Sequence, residues 1–316
     1  LTMSPTAVTT SKRDYRGRFA PSPSGPLHFG SLVAAVGSYL DAKVNQGKWL
    51  VRIEDIDTTR VVKNADTHIL NTLQAYGLYW DESVVYQTQR LPLYQEVTNK
   101  LIHQQCVYGC RCSRKQIKAM GGIYQGHCKT LNLSTEQGAL RLSQQHPTCH
   151  FNDLIQGDIT VNSALAHEDY IIKRSDGLFA YQLVVVIDDI EQGINRVVRG
   201  ADLIEPTARQ ISLFKQLNAP IPQYAHLPLA VAEPGFKLSK QNYAPAISTD
   251  NPKPALIDAF EFLNLPVHSQ LNDLSVEQLI TWAINEFSLT AVPNIPEIQI
   301  SQGQHPNSTK FTHLSK

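Results

Sequence analysis

The chain has 316 residues, of which 42% are hydrophobic and 18% are charged, and its 28 basic residues balance its 28 acidic ones. A chain of this length buries a sizeable core, while the neutral balance excludes a strongly basic nucleic-acid-binding protein and restricts any RNA contact to a local patch. The apolar runs are too short to span a bilayer and no apolar signal-peptide core precedes Tyr15, so we expect a cytoplasmic protein without membrane attachment.

The first predicted elements are a strand over residues 16–20, a Pro/Gly/Ser turn and a helix. Apolar residues recur at helical spacing from Leu32 to Leu40, so the helix follows Gly30. A strand, a tight turn and a helix amino terminus form an anion site, because unpaired N–H groups and the helix dipole point at the ligand. His28 stands at this entrance, although an isolated histidine there is more typical of a buried structural residue.

Short apolar runs then alternate with helical patterns, which predicts an α/β fold with a largely parallel sheet. The remaining predicted pieces are, in chain order, a strand over 49–53, a helix over 65–76, an irregular insertion over about 106–169, renewed α/β alternation at 181–187 and 197–199, a helix from Pro206, and after Lys240 only helices, over 255–263 and 275–287. We expect a main domain over 15–240, a helical subdomain over 241–298, and disordered tails at 1–14 and 299–316.

A second basic loop, Gly235-Phe236-Lys237-Leu238-Ser239-Lys240, begins far downstream, and 208 residues separate His28 from Lys237. A site for a nucleoside triphosphate needs hydrogen-bond donors to the phosphates on one side, and mobile cations that follow the negative charge onto the leaving pyrophosphate. The helix entrance supplies the donors, and Lys237 and Lys240 supply the cations. Each loop alone is typical of ordinary structure, but together in an α/β chain they favour one shared ATP site.

These two loops resemble the "HIGH" and "KMSKS" signatures of class I aminoacyl-tRNA synthetases, present here as His28-Phe29-Gly30-Ser31 and Lys237-Leu238-Ser239-Lys240-Gln241. Residues 18–25 and 52–57 narrow the resemblance to the glutamate-specific branch, and it extends over about 15–292. It implies a Rossmann-type catalytic domain with a zinc-containing insertion and a C-terminal helical subdomain. Gln241 departs from the serine that usually ends the lysine signature.

Three features are similar to short paralogues of glutamyl-tRNA synthetase. Only 75 residues follow Gln241, too few for an anticodon-binding domain given domains of roughly 100 residues or more, so we expect none. Val185 stands where the full-length enzymes usually carry asparagine, and residues 199–207 resemble the paralogues' version of that loop.

The resemblance implies a two-step ATP-dependent ligase. L-Glutamate is activated to glutamyl-adenylate without tRNA, with Mg²⁺ accompanying ATP, and is then passed to the queuosine base at the wobble position of the tRNA(Asp) anticodon stem-loop. We expect a monomer. Two alternatives are a truncated glutamyl-tRNA synthetase that charges the 3′ end of tRNA(Glu) and a non-catalytic tRNA-binding paralogue; retention of the whole charged set disfavours the second.

The same resemblance implies the site residues. Glutamate binds at Arg18, Phe19, Ala20, Pro21, Ser22, Glu54, Tyr181 and Arg199, ATP binds at His28, Gly30, Ser31 and Lys240, and His28, Lys237 and Lys240 are catalytic. The chemistry agrees, because glutamate carries one ammonium and two carboxylates, and the arginine fork bonds both oxygens of a carboxylate. We assign Glu54 to the ammonium and Arg18 and Arg199 to the carboxylates. Taken alone, Glu54 and Arg199 are more typical of an internal ion pair or an exposed charge.

Cysteines mark a candidate metal site in the insertion, where Cys110, Cys112 and Cys128 offer three thiolates of a closed tetrahedral zinc centre. Tyr124 and His127 are both available as the fourth ligand: histidine is the commoner zinc ligand, but its adjacency to Cys128 makes a shared tetrahedron awkward. The resembled family uses Cys, Cys, Tyr and Cys, which implies Tyr124 and one structural zinc per chain.

Five basic residues surround this segment and form either an RNA-facing patch or a solvated face, namely Arg111, Arg114, Lys115, Lys118 and Lys129.

Overall fold

The computed structural model describes residues 14–238, 244–302 and 309–313. The strands in this part of the chain are β1 (Arg16–Phe19), β2 (Lys48–Ile53), β3 (Val85–Tyr86), β4 (Val107–Cys110), β5 (Ala139–Leu142), β6 (His150–Asp153), β7 (Gly157–Thr160), β8 (Tyr170–Lys173), β9 (Arg196–Gly200), β10 (Gln223–Leu227), β11 (Leu229–Glu233), β12 (Phe236–Lys237), β13 (Glu297–Gln302) and β14 (Thr309–His313). The helices are α1 (Phe29–Val44), α2 (Ala65–Ala75), α3 (Leu91–His103), α4 (Arg114–Ala119), α5 (Ser163–His167), α6 (Tyr181–Glu191), α7 (Ile204–Gln216), α8 (Lys253–Phe262) and α9 (Val276–Glu286).

Two adjoining sheets, parallel except for one strand, form the centre of the molecule. One has the order β1-β2-β3, and in the other β10 pairs in parallel with both β6 and β9, with β7 added antiparallel to β6. They meet where the backbone N–H of Asn195, just before β9, donates to the carbonyl of Arg16 in β1 at 3.0 Å. The strands at this junction therefore end at one common edge.

Helix α1 covers the junction of the two sheets. It begins with a capping box, in which the N–H of Ser31 donates to Nδ1 of His28 at 3.4 Å and the N–H of His28 donates to Oγ of Ser31 at 3.0 Å. Leu32, Val36 and Leu40 are fully buried against the sheet. The predicted strand–turn–helix at the amino terminus is therefore the geometry that the structure shows.

The predicted insertion is not one separate piece. β4 and β5 pair with β8 in a small antiparallel sheet, whereas β6 and β7 join the main sheet. Residues 181–187 begin helix α6, whose apolar residues Leu183, Val184, Val185 and Val186 are all buried. An apolar run that is buried on every side carries no periodicity, so the pattern could not specify a helix there.

The carboxyl-terminal part combines the predicted helices with strands that were not predicted. Leu256 and Phe260 of α8 and Leu279 of α9 share one apolar core with α1. β13 pairs in parallel with β11 and antiparallel with β14, so the expectations of helices alone and of a disordered tail from residue 299 are wrong for the residues in these strands. Polar residues dominate β13, but Ile298 is buried between polar neighbours, which is the alternation typical of a strand.

None of the helices in the described ranges is long and apolar enough to cross a membrane.

The close packing of β4 gives a prediction about stability. A Cβ at Gly109 would lie 2.6 Å from the carbonyl oxygen of Ser134, a backbone atom that cannot turn away. We expect Gly109→Ala to lower the free energy of unfolding by about 1–3 kcal/mol in denaturant titration. Gly37→Ala is the matched control, because the atoms nearest to its Cβ all belong to the side chain of Leu227, the closest at 2.7 Å, and a side chain can turn where a backbone carbonyl cannot. Equal effects of the two substitutions would contradict the close approach at β4.

Candidate active site

A cavity of about 430 Å³ opens at the carboxyl ends of β1, β9 and β10, beside the residue that follows β2. Crevices at such an edge, where neighbouring strand connections diverge, are the usual ligand sites of open α/β sheets. The lining residues that the sequence pointed to are Arg18, Phe19, Ala20, Pro21, Ser22, His28, Gly30, Ser31, Glu54, Tyr181, Arg199 and Lys237. Lys240 lies outside the described residues, so its assignment stays a prediction.

The helix entrance and the lysine loop approach each other at one end of this cavity. A Cβ at Gly30 would lie 3.0 Å from the His28 ring and 3.6 Å from the carbonyl of Leu238. Because Nδ1 of His28 accepts from Ser31, the proton of the neutral ring belongs on Nε2, which can donate to an anion. Lys237 forms an ion pair with Asp202, in the turn after β9. Amide donors and a cation thus meet where phosphates would bind.

A buried ion network forms the floor of the other end. Arg18 of β1 donates two hydrogen bonds of 3.0 Å to the carboxylate of Asp189 in α6, one from Nε and one from Nη2. Nη2 of Arg52, in β2, donates to Asp189 at 2.9 Å and to Oε1 of Glu54 at 3.3 Å. Two nitrogens of Arg18 are therefore committed to an internal carboxylate, and Nη1 takes no part in that pair.

The pKa values of two carboxyl groups in this floor are shifted in opposite directions. Burial alone would raise the pKa of Asp189, but Arg18 and Arg52 outweigh burial and hold that pKa below its usual value. Burial raises the pKa of Glu54, and the attraction of Arg52 and Arg18 offsets this only in part. An additional cation beside Glu54 would stabilise its ionised form, and the ammonium group of an amino acid is such a cation.

Arg199 of β9 also lines the cavity. Its Nε lies 3.2 Å from Nε2 of His226 and its Nη2 donates to Oγ1 of Thr207 at 2.7 Å, while Nη1 is buried without a partner among the described residues. Tyr181 begins α6 and lines the same cavity; burial raises the pKa of its hydroxyl, which keeps it protonated. A carboxylate that reached Nη1 would relieve an unsatisfied donor, which costs about 1–3 kcal/mol.

Sequence reasoning missed Asp189, Arg52 and His226. Asp188 and Asp189 directly follow an apolar run, and since aspartate is rarely buried without a partner, two of them there signal an internal ion network. His226 within the apolar strand Gln223–Leu227 carried a similar signal.

The three predicted metal-binding cysteines lie together in the insertion. The Sγ atoms of Cys110, Cys112 and Cys128 are all within 4.8 Å of one another, and sulfur atoms around a tetrahedral zinc stand about 3.8 Å apart. Tyr124 is buried in this cluster and its hydroxyl accepts from the N–H of Cys128 at 2.8 Å, whereas His127 is exposed. The donor set therefore fits a metal, with Tyr124 as the better-placed fourth group.

Residues 14–287 match the family model "tRNA synthetases class I (E and Q), catalytic domain". A glutamyl-Q tRNA(Asp) synthetase of Colwellia psychrerythraea is 54% identical over 297 residues, which cover 90% of this chain and 94% of that protein. One of Serratia proteamaculans is 52% identical over 292 residues, covering 92% and 96%.

Among solved structures, a glutamate tRNA ligase of Elizabethkingia meningosepticum in complex with its amino acid superposes with a TM-score of 0.74 at 23% identity. The match covers 89% of this chain and 66% of that one. These likenesses confirm the predicted α/β class I synthetase fold. The chain belongs to the class I tRNA synthetases, within the family of the glutamyl-Q tRNA(Asp) synthetases.

Proposed function

We propose that this protein activates L-glutamate with ATP and transfers the glutamyl group to queuosine in the anticodon of tRNA(Asp). The observation that carries the proposal is the single cavity with amide donors and a lysine at one end and a buried set of charges suited to an amino acid at the other. The names of the relatives, which are identical to this chain at more than half of the aligned positions, supply the acceptor.

In the first step the charges at the floor orient glutamate. Glu54 binds the ammonium group, and the remaining nitrogens of Arg18 and Arg199 bind the carboxylates. An oxygen of the α-carboxylate attacks the α-phosphorus of ATP, the bond from that phosphorus to the bridging oxygen breaks, and pyrophosphate leaves. Most of the acceleration comes from positioning and charge stabilisation.

The triphosphate binds at the phosphate end of the cavity, where it is held by His28, the first turn of α1 and Lys237. Mg²⁺ would accompany the ATP. Lys237 is paired with Asp202, so binding of the triphosphate exchanges one anionic partner for another. Lys240 is assigned to the leaving pyrophosphate by its place in the lysine signature.

In the second step a hydroxyl oxygen of queuosine attacks the glutamyl carbonyl carbon, AMP leaves, and the hydroxyl proton passes to the AMP phosphate.

The insertion offers a basic surface to the RNA. Of the five basic residues in its zinc segment, Arg111 bonds to backbone carbonyls and Lys129 lies 3.5 Å from Asp169. Arg114, Lys115 and Lys118 on α4 are exposed and form no ion pair within the described residues, so we assign them to phosphate contacts.

The function is tested by glutamate-dependent ATP–pyrophosphate exchange in the absence of tRNA, followed by transfer of labelled glutamate to tRNA(Asp) with and without queuosine. We expect exchange without tRNA and label only on the queuosine-containing tRNA. Absence of exchange would contradict the activation step. Equal labelling of the two tRNAs, or labelling of the 3′ end of tRNA(Glu), would contradict the proposed acceptor.

The role of Glu54 is tested by Glu54→Gln, which keeps the shape but removes the charge that faces the ammonium group. We expect the KM for glutamate in the exchange reaction to rise about 10–100-fold while the KM for ATP stays constant. Glu82→Gln is the matched control, because Glu82 forms only surface ion pairs with Arg16 and Lys48. An unchanged KM for glutamate in Glu54→Gln would refute the assignment.

The cysteine cluster is proposed to hold one structural zinc through Cys110, Cys112, Cys128 and Tyr124. Zinc would crosslink an insertion whose own apolar core is small. Elemental analysis should find about one zinc per chain in the parent, near none in Cys128→Ser, and parental content in Cys149→Ser, whose thiol lies outside the cluster. Cys128→Ser should also unfold at a lower temperature. Full zinc retention by Cys128→Ser would rule out this ligand set.

A further inference from the structure

A row of buried polar side chains continues behind Arg199, across three neighbouring strands. Oδ2 of Asp153, at the end of β6, lies 2.5 Å from Nδ1 of His226 in β10. Nε2 of the same ring lies 3.2 Å from Nε of Arg199 in β9. The side chains of Asp153 and His226 are 0% exposed, so water does not compete for these contacts.

The identity of the donors fixes the protonation of His226. Arginine nitrogens only donate hydrogen bonds, so Nε2 of His226 has to accept from Arg199. The ring proton then belongs on Nδ1, from which it is donated to Asp153. A doubly protonated ring has no acceptor left, and its Nε2–H would face the N–H of a guanidinium. The contact between His226 and Arg199 therefore exists only while the ring is neutral.

The other groups around the ring agree with this state. Thr207 of α7 lies 3.2 Å from Nε2, but its hydroxyl accepts from Arg199 and donates to the carbonyl of Leu203 at 2.6 Å. Tyr224 stacks on the ring. Burial is the largest cause that lowers the pKa of His226, and Arg199 adds to it, while Asp153 and Asp202 act in the opposite direction.

These contacts hold Nε and Nη2 of Arg199 and leave Nη1 as the guanidinium nitrogen without a partner in the described structure. We propose that Asp153 and His226 are positioning residues that orient Arg199 so that Nη1 receives a carboxylate of the substrate, and that protonation of His226 releases this orientation. The inference rests on the proposed function, because it takes glutamate as the ligand of Arg199. It adds a pH-sensitive element behind the substrate contact.

The experiment compares His226→Leu, which removes the acceptor for Arg199, with His226→Gln, whose amide oxygen can accept in its place. In ATP–pyrophosphate exchange we expect His226→Leu to raise the KM for glutamate about 10–100-fold and to leave the KM for ATP within about 2-fold. His226→Gln should recover most of this loss. Isothermal titration with glutamate measures the same contact without catalysis.

The pH dependence separates positioning from a general structural role. In the parent, kcat/KM for glutamate should fall as the pH is lowered from 7 to 5, because the ring gains its second proton below its ordinary pKa of about 6.5. Glu54, whose pKa burial raises, contributes to the acid limb of both proteins, but His226→Gln has no titratable group at position 226, so its profile should be flatter than that of the parent over this range. The KM for ATP should show no matching change in either protein.

Ser38→Ala is the matched control, because it removes the buried acceptor of Nε1 of Trp49, 2.9 Å away, in the core. It should lower the unfolding temperature without changing the KM for glutamate. The inference is overturned if His226→Leu raises the KM for glutamate and the KM for ATP alike. It is also overturned if kcat/KM of His226→Gln for glutamate falls between pH 7 and 5 as steeply as that of the parent, and this result is sufficient even where His226→Leu fails to fold. Glutamate binding by a parent that shows no exchange would refute the proposed function alone, and absence of glutamate binding would overturn both.

Discussion

The carboxylate of Asp189 connects the parts of the molecule on which the site depends. Through Arg18 it holds the end of β1, and through Arg52 it holds the end of β2, where Glu54 follows. A buried ion pair contributes little net stability, because desolvation offsets the attraction, but removal of one partner costs about 3–5 kcal/mol. The value of this network is therefore geometric: it fixes two strand ends and the last turn of α6 relative to one another before any substrate binds.

The distribution of charge follows from that arrangement. The chain has no net charge, yet buried guanidinium and carboxylate groups are concentrated where the strands of the two adjoining sheets end. In this desolvated setting each charge acts more strongly on a bound ligand than it would at the surface. Arg199 is supported from behind by His226 and Thr207, and Arg18 by Asp189. The side chains that are assigned to glutamate are thus themselves held by neighbours, which reduces the entropy lost on binding.

The parts of the site that could be predicted are those specified by local sequence. The helix entrance at His28 follows from a turn and a helical period, and Glu54 and Arg199 stand at strand ends that apolar runs identify. The cysteine spacing marks the metal cluster in the same way. Each of these features needs only a short window of the chain.

The parts that could not be predicted depend on distant partners. Nothing near Arg18 in the sequence indicates that Asp189, 171 positions away, occupies two of its nitrogens. His226 acquires its role only because β6, β9 and β10 are neighbours in the sheet. β13 was missed because its pairing with β11 outweighs a composition that is typical of a disordered segment.

The most direct test of the account is a crystal structure with a non-hydrolysable analogue of glutamyl-adenylate. The account predicts the ammonium group beside Glu54, a glutamyl carboxylate on Nη1 of Arg199, and the phosphate mimic at the first turn of α1 next to His28. An analogue bound outside this cavity, or one with its adenylate group on the Arg18–Asp189 floor, would contradict it.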